Sequence, residues 1–203
     1  MERTFRVIYL EPATYSVVAG PDSGEIFDLS EQVDGIAPIP LFTTLADPPE
    51  SDACFVALLG FEGVRFSHML NEVQPNPEKI FPVIGVPGFR LHYPFDAYIG
   101  NALALEKYKA SRNLKFARSN CPFSLFYTLE DVAGRHPDDF MRIGLIGTKP
   151  HALGAILFAI ARPETVEIVY DHAKRKTGRT RGAARCLVYG VSEFLTAERR
   201  PAA

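Results

Sequence analysis

Hydrophobic positions along this chain fall into two textures. Over the first fifty residues they form short runs, 5–10 and 15–19, separated by Glu-Pro-Ala and followed by Gly-Pro-Asp-Ser-Gly, the turn chemistry that joins short strands. Pro38, Pro40, Pro48 and Pro49 then remove backbone donors and disfavour helix at the residues before them. Residues 35–52 therefore read as a connecting arm over the surface. From residue 53 the pattern becomes regular, starting with an unbroken apolar run over 53–60 (ACFVALLG), the length of a strand buried on both faces. Val64, Phe66, Met69, Leu70 and Val73 follow at helical spacing until Pro75 and Pro77 stop them. A second strand is expected over 79–86 (KIFPVIGV), where Pro82 would sit better at an edge or a strand start. Helices over 94–108 and 123–133, a strand over 141–146, a buried helix over 153–161 and strands over 166–170 and 186–191 complete the pattern.

Strands that alternate with helices require crossover connections, so the predicted fold is α/β and Rossmann-like. Its sheet is mainly parallel with helices on both faces, preceded by a short β-rich N-terminal segment. The expected division is 1–52 for the short strands and arm, 53–195 for the Rossmann-like domain and 196–203 for a frayed tail, with no effector domain after residue 191. At 203 residues and 47% hydrophobic, the chain can build one sizeable core. A net charge of −2 supplies no global attraction to nucleic acid or acidic membranes. No apolar run approaches the ~18 residues of a membrane span, and no leader segment is evident. Cys54, Cys121 and Cys186 are odd in number and widely separated, and His68, His92 and His136 lack partners at metal-ligand spacing. Neither a disulfide framework nor a metal or other cofactor is expected, and a reducing, cytoplasmic location fits.

Function is expected where a parallel sheet places it, beyond the carboxyl ends of the strands, where loops converge and helix N-termini point inward. Four such loops follow the predicted strands: Gly60-Phe61-Glu62-Gly63-Val64-Arg65, then Gly85-Val86-Pro87-Gly88-Phe89-Arg90, then Gly147-Thr148-Lys149-Pro150-His151, and Asp171-His172. Within the third, Gly147 permits close backbone approach to a ligand, Thr148 can cap the helix or bond a phosphate oxygen, and Lys149 supplies a mobile charge. Pro150 is tolerated in a first helical turn. This is an anion-binding helix terminus, although neither GxxxxGK[ST] nor GxGxxG occurs. A well-capped helix with a solvated lysine is the plainer alternative.

The triplet Gly147-Thr148-Lys149 between strand and helix resembles the GTK-type motif of the CRISPR-associated Rossmann fold (CARF) family; here His151 stands near the place of that motif's methionine. The resemblance implies a dimer that binds a cyclic oligoadenylate across its interface, and so a nucleotide sensor in antiviral defence.

A second constellation is Tyr170-Asp171-His172 followed by Lys174, Arg175, Lys176, Arg179, Arg181 and Arg185, with Gly178 and Gly182 suggesting a flexible loop. Such local charge could track a phosphate backbone or hold a polyphosphate, and equally suits a solvated hairpin. Glu62, Asp171 and His172 are the side chains best suited to activate a water, against structural roles as caps and loop anchors. Gly60, Phe61, Arg65, Gly88, Arg90, Gly147, Thr148, Lys149 and Arg175 are the expected ligand-binding set. The chain thus reads first as a module that binds a nucleotide or another phosphorylated small molecule. Beside it stand a nucleotide hydrolase and a structural subunit that contacts nucleic acid or a partner protein through residues 174–185.

Overall fold

The structure is a computed structural model and describes residues 4–19, 25–27, 29–37, 39–43 and 53–198. The glycine-flanked turn at 20–24, Pro38, the arm over 44–52 and the tail from 199 lie outside the described residues. In chain order the early strands are β1 (Arg6–Tyr15), β2 (Val17–Ala19), β3 (Glu25–Phe27) and β4 (Ser30–Gln32). There follow β5 (Ala53–Leu58), α1 (Gly63–Val73), β6 (Ile80–Gly85), α2 (Tyr93–Lys107) and β7 (Lys115–Ala117). The remainder is α3 (Pro122–Arg135), β8 (Phe140–Leu145), α4 (Lys149–Ala161), β9 (Val166–Val169), β10 (Lys174–Arg175), β11 (Thr180–Gly190) and α5 (Val191–Glu198). The chain folds as two compact units, Met1–Ser16 with Gly178–Ala203, and Val17–Thr177.

The larger unit is α/β, built on a parallel five-stranded sheet in the order β7-β6-β5-β8-β9. Strand order runs outward from β5 in both directions, the Rossmann-like arrangement, and reverses between β5 and β8. Every residue of β5 is buried, as the unbroken apolar run requires of a central strand. Its odd positions, Phe55 and Ala57, join Phe66, Met69 and Leu70 of α1 and Ala97, Ala104 and Leu105 of α2 in one core. Its even positions, Val56 and Leu58, are equally buried on the opposite face, where α3 and α4 pack on one another. There Phe126 meets Phe158 edge to face with ring centroids 5.6 Å apart.

Pro82 lies in an interior strand, not at an edge. Val83 accepts the amide of Leu59 at 2.9 Å, so Val83 addresses β5 and Pro82 addresses the other side. On that side the ladder with β7 begins only at Val83–Lys115, and the missing proline donor breaks no bond. Residues 39–43 of the predicted arm run beside the sheet, where Phe42 accepts the amide of Ile168 at 2.9 Å.

Two expectations need correction. Of the run at 186–191, residues 186–190 form the end of the longer strand β11, which pairs antiparallel with β1 and not with the parallel sheet, and Val191 opens α5. Likewise Glu-Pro-Ala does not separate two strands, because β1 continues through it with a register shift at Glu11/Pro12. In this smaller unit the Glu11 carboxylate is clasped by Arg185 at 2.8 and 3.3 Å, and Arg6 pairs with Glu193 of α5 at 3.1 Å. Among the described residues, no helix is long and apolar enough to cross a membrane.

Candidate functional site

Because all five strands of the sheet are parallel, the loops after β5, β6, β7, β8 and β9 open at one edge. At the switch between β5 and β8 two glycines let the diverging backbones pass. A Cβ on Gly60 would stand 2.3 Å from the carbonyl oxygen of Ile146, and one on Gly147 would stand 3.1 Å from that of Leu58. Backbone crowding thus demands glycine at Gly60 and leaves Gly147 in tight contact, where a side chain would need the Leu58 backbone to give way by a few tenths of an ångström. Gly88 is similarly tight, with Arg90 carbonyl and Pro94 atoms 2.7 Å from its would-be Cβ.

Thr148 is the N-cap of α4; its hydroxyl accepts the amide of His151 at 3.2 Å and donates to the Ser119 carbonyl at 2.9 Å. The hydroxyl is therefore committed to capping and to tying the β8 loop to the β7 loop. Lys149 and Pro150 occupy the first turn, one turn earlier than the predicted helix start. His151 is fully buried there, and its Nε2 lies 3.1 Å from the Arg118 carbonyl. A carbonyl only accepts, so Nε2 carries the proton and Nδ1 is the bare acceptor. Burial pushes this imidazole down to about 4, outweighing the backbone hydrogen bonds that favour its charged form, and it stays neutral.

The loop after β7 escaped the sequence reading. Ser119 also donates its amide to the Pro87 carbonyl at 3.2 Å, so the β6, β7 and β8 loops are stitched into one rim. Asn101 of α2, likewise unforeseen, is buried and donates to the carbonyls of Gly60 at 2.8 Å and Ala97 at 2.7 Å. Its Oδ1 and Nδ1 of His151 are two of the three buried side-chain atoms without a hydrogen-bond partner among the described residues. Both belong to residues that abut this rim.

The carboxylates proposed for catalysis are brought together and saturated. Glu62, with 14% of its side chain exposed, accepts the amides of Leu29 at 3.0 Å and Ser30 at 2.9 Å and the Ser30 hydroxyl at 2.8 Å. Asp171 is wholly buried, and Arg65 grips it with two bonds of 2.7 and 2.6 Å. Burial alone would lower the Arg65 guanidinium, but the Asp171 carboxylate outweighs it and holds the group above its ordinary range. Arg65 also stands 4.0 Å from Glu62. The cluster fastens residues 29–30 and the β9 loop onto the first turn of α1. Phe61 is stacked on Phe27 at 3.9 Å and meets Tyr93 edge-on at 5.0 Å, while Arg90 lies over the Tyr93 ring at 6.0 Å. His172 has a left-handed backbone (φ 46°) and places Nε2 3.3 Å from the Ala37 carbonyl.

The basic run is not a flexible loop. Lys174 and Arg175 form β10, paired antiparallel with β4, and Thr180 to Gly190 form β11, with Gly178 at φ +73° in the turn between them. Arg175 is exposed on β10, Lys174 lies 3.6 Å from Glu31, and Arg185 is bound to Glu11.

The opposite edge of the sheet holds chemistry that residue spacing could not show. Cys54, His136 and Asp139 place one donor atom each within 4.8 Å of one another. The Cys54 thiol donates to Asp139 Oδ2 at 3.4 Å, His136 Nδ1 lies 3.2 Å from the same oxygen, and Lys79 holds Oδ1 at 2.8 Å. Burial, with the Asp139 carboxylate, pushes the Cys54 thiol up to about 12. Beside the cluster lies a cavity of about 290 Å³, lined in part by Glu130, His136, Asp139, Met141 and Arg162. The signal that locates this cluster is topological, since β5 and β8 start side by side with Cys54 opposite Met141. No protein-family model and no curated protein matches the chain.

Proposed function

We propose that this chain is a ligand-binding module that recognises a nucleotide or another phosphorylated molecule at the carboxyl-terminal edge of its parallel sheet. The supporting observation is the reversal of strand order between β5 and β8, which sets the N-termini of α1 and α4 on either side of the abutting Gly60 and Gly147 loops. The positive end of the α4 dipole and the Lys149 ammonium favour an anion there. The CARF resemblance of the Gly147–Lys149 turn adds a cyclic oligonucleotide as ligand class, a homodimer as binding form and antiviral defence as setting. Water activation would need an unengaged carboxylate, and both Glu62 and Asp171 are spent on the fold. Binding without hydrolysis is therefore the reading favoured.

A thermal-shift panel of mono-, di- and cyclic nucleotides tests this, because a ligand at a hundred times its Kd stabilises the folded state by about 2.7 kcal/mol. Lys149→Ala should weaken the best binder roughly 10- to 100-fold, the worth of a charged hydrogen bond, with little loss of melting temperature without ligand because the side chain is exposed. Parallel losses of affinity and of unliganded stability would mark Lys149 as structural.

A further inference from the structure

We propose that Cys54, His136 and Asp139 form a binding site for a borderline-soft divalent ion of the zinc class, at the sheet edge opposite the nucleotide site. The donor set is a thiol, an imidazole and a carboxylate, the ligand types that zinc takes, three from protein with a fourth position left over. Zinc bonds of about 2.3 Å to sulfur and 2.0–2.2 Å to nitrogen or oxygen, at tetrahedral angles, give ligand separations of roughly 3.4–3.6 Å. Sulfur and imidazole stand 3.4 and 3.2 Å from the shared carboxylate oxygen and the three donors lie within 4.8 Å of one another, so an ion can enter once the side chains draw together around it.

The surroundings suit a metal as well as the donors do. Lys79 binds Oδ1 and leaves Oδ2 for the ion, the outer-shell support that ligating carboxylates have. The His136 ring rests against Phe81 with centroids 5.1 Å apart, which limits its rotation. His136 is the C-cap of α3 and Arg162 that of α4, so two helices direct their negative ends at the cavity. Through His136 and Asp139 that cavity gives the ion an entry path and room for a fourth ligand, a water or a small anion. On binding, the Cys54 S–H bond is broken and a metal–sulfur bond formed, with the proton released to solvent.

The test is anaerobic titration of the whole, reduced protein with Co2+, then displacement by Zn2+. One equivalent should give the intense visible bands of four-coordinate cobalt and a thiolate charge-transfer band, and Zn2+ should erase both. Cys54→Ala should abolish the charge-transfer band, His136→Ala and Asp139→Asn should weaken binding at least tenfold, and Cys121→Ala and Cys186→Ala should change nothing. Circular dichroism of each metal-free variant verifies folding, and Zn2+ should raise the melting temperature of the wild type but not of His136→Ala. Absence of the charge-transfer band in the folded wild type, or its persistence in Cys54→Ala, would overturn the assignment.

Discussion

Replacing Asp171 by alanine is expected to destabilise the Val17–Thr177 unit by about 3–5 kcal/mol, the cost of stranding a buried charge. Asp171 is fully buried, and it is the bidentate partner of Arg65, itself only 15% exposed at its side chain. Removing the carboxylate leaves a guanidinium in a site with too little water to solvate it. The effect should reach further than one contact, because Arg65 sits in the first turn of α1 beside Glu62, whose carboxylate holds residues 29–30. A double variant with Arg65→Met and Asp171→Leu removes both charges and should recover most of the loss, since apolar replacements of buried pairs are often neutral or better. Urea unfolding of the three proteins decides. A loss below about 1 kcal/mol in Asp171→Ala would show that the pair is solvated, as exposed pairs are.

Between pH 6.5 and 4 the same unit is expected to lose on the order of 3 kcal/mol through His151 alone, from a folded-state value near 4 against an ordinary 6.5. The sign follows from proton uptake. Below about 6.5 the unfolded chain protonates this imidazole while the folded chain, which buries it, does not, so falling pH favours unfolding. Once pH passes below the folded value both states carry the proton, and the loss stops growing. The imidazole is held neutral by burial, with Nε2 given to the Arg118 carbonyl. His151→Gln keeps a donor for that carbonyl and cannot titrate. Stability measured against pH should therefore fall less steeply for the variant between these values, whatever its offset at neutral pH. Parallel curves would mean that His151 takes up its proton over the same pH range in the folded and the unfolded chain.

How much could be read beforehand depended on whether a feature was set by local pattern or by chain return. The apolar stripe at 64–73 and the run at 53–60 gave α1 and β5 nearly to the residue, because a central parallel strand and its covering helix are written in consecutive side chains. β7 was missed because Lys115–Ala117 is a three-residue edge strand whose Phe116 stays 58% exposed, which leaves no run to detect. The placement of 186–191 failed for a different reason. An apolar run announces a strand but not its partner, and the overlooked clue was alternation: in β1, Arg6, Ile8 and Leu10 are exposed while Val7 and Tyr9 are covered, the mark of a one-sided antiparallel ribbon.

The same distinction governs the site. Gathering of the Gly60, Gly88 and Gly147 loops at one edge followed from parallel topology and was foreseeable. That Glu62 would be consumed by residues 29–30, or Arg65 by Asp171, depends on contacts 32, 33 and 106 positions apart in the chain, which no periodicity encodes. Cys54, His136 and Asp139 were passed over for the same reason. Ligand spacing rules look along the chain, whereas these donors meet because β5 and β8 begin together.

Ligand binding at the switch between β5 and β8 is tested most directly by an amide NMR titration of the isotopically labelled chain with the nucleotide that stabilises it most. The largest shifts are expected at Gly60, Phe61, Gly147, Thr148 and Lys149, with smaller ones along the Ser119 loop that Thr148 is bonded to. Shifts centred on His136, Asp139 and Val166 at the opposite edge, or no saturable shifts with any nucleotide of the panel, would contradict it.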